Sequence, residues 1–156
     1  MPDDIQLRAA IAADYDALGA LIFDAIHHGP TQYTKAQSRA WAPAPKSGPD
    51  WHARLGTQHV IVAEHDGNLL GFMSIDQNGY IDFVYIRPTA QGSGLFRRLF
   101  SAIRTKATAD GMSELSTHAS LMAQPAFAAM GFTIDFHETV DVDGQSLPRA
   151  RMIKTL

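Results

Sequence analysis

A chain of 156 residues with 46% hydrophobic content has material for one well-buried domain and too little for two. Its net charge of −3, from 13 Lys and Arg against 16 Asp and Glu, gives no basic excess for a nucleic acid. Cysteine is absent, which excludes a disulfide framework and a thiol nucleophile. The stretch MPDDIQLRAA lacks a charged-then-apolar leader and no apolar run approaches a membrane span, so the expectation is a soluble cytoplasmic protein.

Ile5 to Ala9 alternates as a short strand, and Asp14 offers an N-cap for a helix through about His27 whose apolar face carries Leu18, Leu21, Ile22, Ala25 and Ile26. Gly29-Pro30 ends that helix, and Thr34 can cap a second one through about Trp41. Pro43, Pro45 and Gly48-Pro49 then argue against regular structure, with a further helical turn around Trp51 to Leu55. Gln58 to His65 and Leu69 to Asp76 read as a hairpin across Asp66-Gly67, and Asn78-Gly79 turns the chain back into a third strand, Tyr80 to Ile86.

From Arg87-Pro88 the pattern changes. Pro88 has no donor for a ladder and closes the strand; Gly92 and Gly94 then open an amphipathic helix with Leu95, Leu99 and Ile103 on one stripe and Arg97, Arg98, Arg104 and Lys106 on the polar side. The first turn of a helix leaves N–H groups unpaired at the positive end of its dipole, and glycine lets a phosphate approach them. Two phosphate loops are excluded: no lysine follows the glycines as a P-loop requires, and a dinucleotide fingerprint needs glycine where Arg97 stands. After Asp110-Gly111 come a strand from Glu114 to His118, a helix from Ala123 to Met130 stopped by Gly131, and strands Thr133 to Val140 and Ala150 to Leu156 joined across Asp143-Gly144. The order is βααβββαβαββ, a mixed α+β domain spanning residues 1–156.

Ile86-Arg87-Pro88 followed by Gln91-Gly92-Ser93-Gly94-Leu95-Phe96 resembles the acyl-CoA signature of the GNAT superfamily of N-acyltransferases, Arg/Gln-x-x-Gly-x-Gly/Ala after a strand ending in Val/Ile-x-Pro. The element order is also that family's, and Gln124 to Phe132 is similar to its late helix and Gly-Phe strand entry. The resemblance covers Gln58 to the C-terminus; the N-terminal third matches mainly in element order, although Gln32 to Gln37 and Ala40 to Pro43 look like a bacterial subgroup. It implies a sheet splayed into a cleft for pantetheine, with the backbone of Val84, Tyr85 and Ile86 on the pantetheine amides and Gln91, Gly92, Ser93, Gly94, Leu95 and Phe96 at the pyrophosphate. It implies acetyl-CoA as acyl donor, direct acyl transfer to an amine on a small molecule or a protein, and admits a homodimer. Phe96 departs from the family's preference for Gly or Ala.

Such chemistry needs a base for the ammonium and an acid for the departing thiolate. In many relatives a Tyr in a Tyr-x-x-x-Gly-Phe frame is the acid; here the frame lands on Phe127, which has no proton to give and which the resemblance leaves among the cofactor-binding residues. His118 and Ser120, just upstream, could hydrogen-bond the thiolate or the thioester oxygen. By the period of two, Tyr80, Asp82, Val84 and Ile86 share one face and Tyr85 the other. Asp82 either accepts the ammonium proton or steers a cationic acceptor, or else pairs with an arginine or caps the nearby turn. By resemblance the first two helices line the acceptor pocket, with Phe23, His27, His28, Tyr33 and Trp41 on offer; Phe23 could equally be core, and the histidines could serve the helix C-terminus. No His spacing supports a metal. The functional readings are an N-acetyltransferase, a CoA-binding module with little turnover, which Phe127 would favour, and a scaffold retaining the fold alone, which the intact Gln91 to Gly94 turn opposes.

Overall fold

The computed structural model describes residues 4–156, so part of the leader reading lies outside the described residues. Seven strands form one sheet in the order β1-β2-β3-β4-β5-β7-β6. They are β1 (Gln6–Ala9), β2 (His59–His65), β3 (Asn68–Ile75), β4 (Tyr80–Ile86), β5 (Glu114–Ser120), β6 (Thr133–Val142) and β7 (Gln145–Thr155). The hairpin at Asp66-Gly67 and the one at Asp143-Gly144 both have two consecutive positive φ angles (49° and 79°; 48° and 76°), the backbone that the right-handed twist of a two-residue hairpin requires.

Helices cover both faces. On one lie α1 (Tyr15–His28), α2 (Lys35–Trp41) and α3 (Pro49–Gly56), which bury Leu18, Leu21, Ile22, Trp51 and Leu55 against Val62, Phe72 and Phe83. On the other lie α4 (Leu95–Ala109) and α5 (Gln124–Ala129), where Leu95, Leu99, Ile103 and Phe127 meet Met73, Ile81 and Leu115. Each fully buried Leu or Phe on these faces contributes about 1.5–3 kcal/mol.

Besides shifts of one or two residues at several element ends, three differences from the sequence reading stand out. First, α3 is a full helix, giving βαααβββαβαββ: Pro49, expected to forbid structure, occupies the first turn, where its missing N–H costs nothing. Second, Asp14 precedes α1 without capping it; its carboxylate accepts the Ile11 amide (2.8 Å) and Arg8 (2.8 Å), and Arg8 holds it below the usual carboxylate range. Thr34, by contrast, forms the expected cap, with Gln37 closing a reciprocal box. Third, β7 begins at Gln145 and carries Pro148. The Ser120–Arg149 pair is the last of the β5–β7 ladder, so Pro148 stands beyond β5, where no donor is needed on that side.

The connection after α2 passes close to α1. A Cβ on the buried Gly19 would come within 1.8 Å of the Lys46 carbonyl oxygen, so glycine here admits the loop's backbone. Gly19→Ala is expected to push the Lys46 segment outward and cost about 1–3 kcal/mol, read as a lower denaturant midpoint with an unchanged slope; full retention of stability would exclude that close approach.

Candidate active site

The site begins where β4 and β5 part. They pair in parallel only at Tyr80–Ser116 and Ile81–Thr117, with the Thr117 hydroxyl donating to the Ile81 carbonyl (2.9 Å) as the last link. Beyond it the strands diverge. Arg87 N–H donates to Leu70 O (2.8 Å) on the β3 side, so the two-residue alternation of the antiparallel ladder turns the backbone of Tyr85 to β3 and leaves that of Val84 and Ile86 facing the cleft. This corrects the assignment of Tyr85: its backbone is committed to the sheet, and it reaches the cleft through its ring.

The cleft between the strands, about 640 Å³, is lined by Val84, Tyr85, Ile86, Gln91, Gly92, Gly94, Leu95 and Phe96, with Ser120, Met122, Ala123 and Ala126 opposite. Gly92 and Gly94 have φ of 76° and 81°, which glycine adopts without strain. Arg98 is the first amide to donate into α4, to Gly94 O (3.2 Å); among the described residues the amides from Gly92 to Arg97 donate to nothing. The turn is an open set of donors at a helix N-terminus, in a cleft without a charged side chain on its walls. Ser93 turns away, its hydroxyl donating to Ala90 O (2.5 Å), and the Gln91 amide donates to Ile86 O (3.1 Å).

A second cavity, about 370 Å³, lies under α1, α2 and the loop after them. Tyr33, Trp41, Tyr80, Asp82, Tyr85, His118 and Ser120 line it with Arg54 and Arg149. The face expected from strict alternation is broken by a bulge: β3 pairs Ser74 with Phe83 and Ile75 with Ile81, leaving Asp82 as the extra residue. Tyr80, Asp82 and Tyr85 therefore share this cavity, while Val84 and Ile86 line the cleft. The Phe83 amide is met by the Ser74 hydroxyl (3.2 Å).

Asp82 takes the arginine alternative. Its oxygens accept from Arg54 Nε (2.9 Å) and Nη2 (2.8 Å) and from Gln58 Nε2 (2.6 Å), and its side chain is 11% exposed. His118 Nδ1 lies 2.8 Å from the Tyr80 hydroxyl, with Glu138 4.0 Å from Nε2. Burial first, then the Arg149 guanidinium, push the His118 pKa below its ordinary value, and burial pushes Tyr80 up. Tyr33 donates to Pro148 O and accepts from the Leu121 amide (3.3 Å).

The two cavities meet at Trp41, Tyr85 and Ser120, which line both, and a narrow space of about 60 Å³ continues between them past His118 to Phe127. The Tyr85 phenol makes no hydrogen bond among the described residues, and burial keeps it protonated. Phe127, 1% exposed, sits edge-on to Phe96 (5.1 Å) and Phe132 (5.0 Å). His27 and His28 line neither cavity: His27 Nε2 lies 2.6 Å from Ala42 O and its ring 4.2 Å from that of Phe23, while His28 pairs with Asp24 (2.9 Å). They brace the end of α1, one as a tie to the following loop and the other as an i,i+4 pair. Tyr80 stands on the face that alternation gave it with Asp82, whereas Arg149 and Arg54 escaped the sequence reading: strand register brings the first here and the packing of α3 the second.

The sequence profile of the acetyltransferase (GNAT) domain matches residues 31–155. The chain belongs to the GNAT acetyltransferase family. It is 29% identical over 143 residues, 91% of this chain and 90% of the other, to the uncharacterized N-acetyltransferase YafP of Escherichia coli K12. A GCN5-related N-acetyltransferase crystal structure from Rhodopseudomonas palustris matches with a TM-score of 0.90 and 29% identity, over 97% of this chain and 95% of that one. The fold is also that of a putative acetyltransferase, yncA of Salmonella typhimurium, solved with its cofactor acetyl-CoA (TM-score 0.68, 20% identity, 97% and 93% covered). Among the described residues no helix is long and apolar enough to cross a membrane.

In this GNAT domain the His118 environment has a measurable signature. A histidine pKa lowered by folding means that the unfolded chain takes up its proton first on acidification. The stabilisation is thus complete above the ordinary value near 6.5 and is lost as pH falls through it towards the folded-state value. Between about pH 8 and about pH 5, His118→Gln should lose less thermal stability than the wild type. Parallel curves would contradict the neutral ring.

Proposed function

We propose that this protein is an acetyl-CoA-dependent N-acetyltransferase that passes the acetyl group directly to a primary amine. The observation that carries the reading is the parting of β4 and β5 after two paired positions, with the free backbone edge of Val84 and Ile86 running into the open amides from Gly92 to Arg97. Amide-bearing pantetheine suits the edge, and a pyrophosphate suits the turn. The bound donor supplies an activated acetyl thioester.

The chain's own groups divide the proton work. With His118 neutral, Nδ1 accepts from the Tyr80 hydroxyl, and the Tyr80 oxygen takes the ammonium proton as its own passes to Nδ1. Phe127 leaves the departing thiolate to the hydroxyls at the junction of the cavities, Tyr85 and Ser120. The Tyr85 phenol, protonated and without a partner among the described residues, is the better placed. Tyr85 thereby takes over what the family's late-helix tyrosine does elsewhere. Asp82, tied to Arg54 and Gln58, fixes α3 against the bulge and positions the wall.

Gly94→Glu puts a strained side chain at φ 81° and a carboxylate against the phosphates, and should weaken CoA binding by about 100-fold or more in calorimetry. Unchanged affinity would remove the turn from the site. Thiol release from acetyl-CoA across an amine panel tests the chemistry: His118→Gln and Tyr85→Phe should each lower kcat by roughly 10²–10⁴ while CoA affinity holds. Stabilisation by CoA with turnover on no amine would favour the binding-module reading instead.

A further inference from the structure

The wall of the 370 Å³ cavity carries more cationic than anionic side chains, although Arg54 is paired with Asp82, Arg149 with Glu138, and Lys46 Nζ lies 6.0 Å from the centre of the Trp51 ring. Lys46, Arg54 and Arg149 stand on its wall against a single lining carboxylate, Asp82, whose oxygens are already committed to Arg54 and Gln58. Arg149 is held by Glu138 through Nε, Glu138 lines no part of the cavity, and the terminal nitrogens of Arg149 have no partner among the described residues. Lys46 makes no ion pair among the described residues. An amine that is only a cation finds no uncommitted carboxylate among the lining residues, whereas one that also bears a carboxylate can pair with the terminal nitrogens of Arg149.

The register says where that carboxylate goes. Arg149 and Ser120 are directly paired across β7 and β5, so their side chains leave the sheet on the same face as neighbours, at the point where the cavity meets the cleft. A guanidinium beside the reacting position suits a carboxylate close to the nucleophilic nitrogen, and its unused N–H pair matches the two oxygens. Much of the remaining lining is apolar, with Ile22, Ile26, Trp41 and Leu147. Resting on the acetyltransferase reading above, we infer that the acceptor is a zwitterionic amino acid with an apolar side chain, its carboxylate held by Arg149 and its amine presented at the junction beside Ser120. The enzyme is then selective against polyamines, and against peptide N-termini, in which that carboxylate is an amide.

The test compares L-leucine and L-phenylalanine with their amides and with spermidine, by thiol release from acetyl-CoA, alongside calorimetric binding of acetyl-CoA alone. The amides carry the less basic amine and react faster in solution, so preference for the acids would come from the protein. The acids are expected to exceed their amides in kcat/KM by about 10-fold or more, as a lost charge-assisted hydrogen bond predicts. Arg149→Gln should erase most of that preference through KM, and Lys46→Gln, at the exposed rim, should reduce it while leaving the fold intact. Amides or spermidine used as well as or better than the acids would overturn the inference while leaving the acetyltransferase reading standing. Failure to bind acetyl-CoA would overturn both. If the cofactor binds without turnover, calorimetry of L-leucine against leucinamide on the CoA-loaded protein decides: saturable binding of the acid alone supports the inference, and any other result overturns it.

Discussion

The parting of β4 from β5 is the constraint on which the rest of the molecule depends. A sheet that stayed zipped would satisfy its backbone internally and leave no edge to offer. Here β5 continues with β7 as far as Ser120, while β4 stays with β3, so each strand keeps one partner and gives up the other. The Thr117 hydroxyl on the Ile81 carbonyl fixes the point of separation, and the bulge at Asp82 lies one residue beyond it. The fork and the bulge lie together, and the bulge brings Tyr85 to the side of Tyr80 and Asp82 while Val84 and Ile86 turn to the cleft.

That arrangement divides the space into two chemistries. The cleft holds no charged side chain and offers backbone donors, whose geometry is fixed by the helix and costs no side-chain entropy to order. The neighbouring cavity offers charge and rings. Tyr85 and Ser120 stand where they join, so one phenol and one hydroxyl are shared by both. Ligands entering the cleft and the cavity from opposite sides would meet at these groups.

What could be read in the sequence was local. The anion turn, the three hairpins and the capped second helix are each written within about ten residues, so turn chemistry and period were enough. Pro49 misled because proline means one thing inside a helix and another at its start. The strand face around Asp82 misled because alternation assumes no bulge, and nothing local to Tyr80 through Ile86 announces one. Arg149 was invisible for a different reason: its place beside Ser120 exists only after two strands remote in sequence choose their register. Phe127 was correctly read as lacking a proton, while the phenol that stands near it belongs to β4.

The two residues that depart from the family's pattern, Phe96 and Phe127, touch each other edge to face, and through Phe132 and Phe100 the contact continues as an aromatic chain linking α4, α5 and the entry to β6. They are therefore one packing event recorded at two positions. The ring at 96 packs on the ring at 127, so the two positions share one contact. Substitutions that remove either ring are therefore coupled rather than additive.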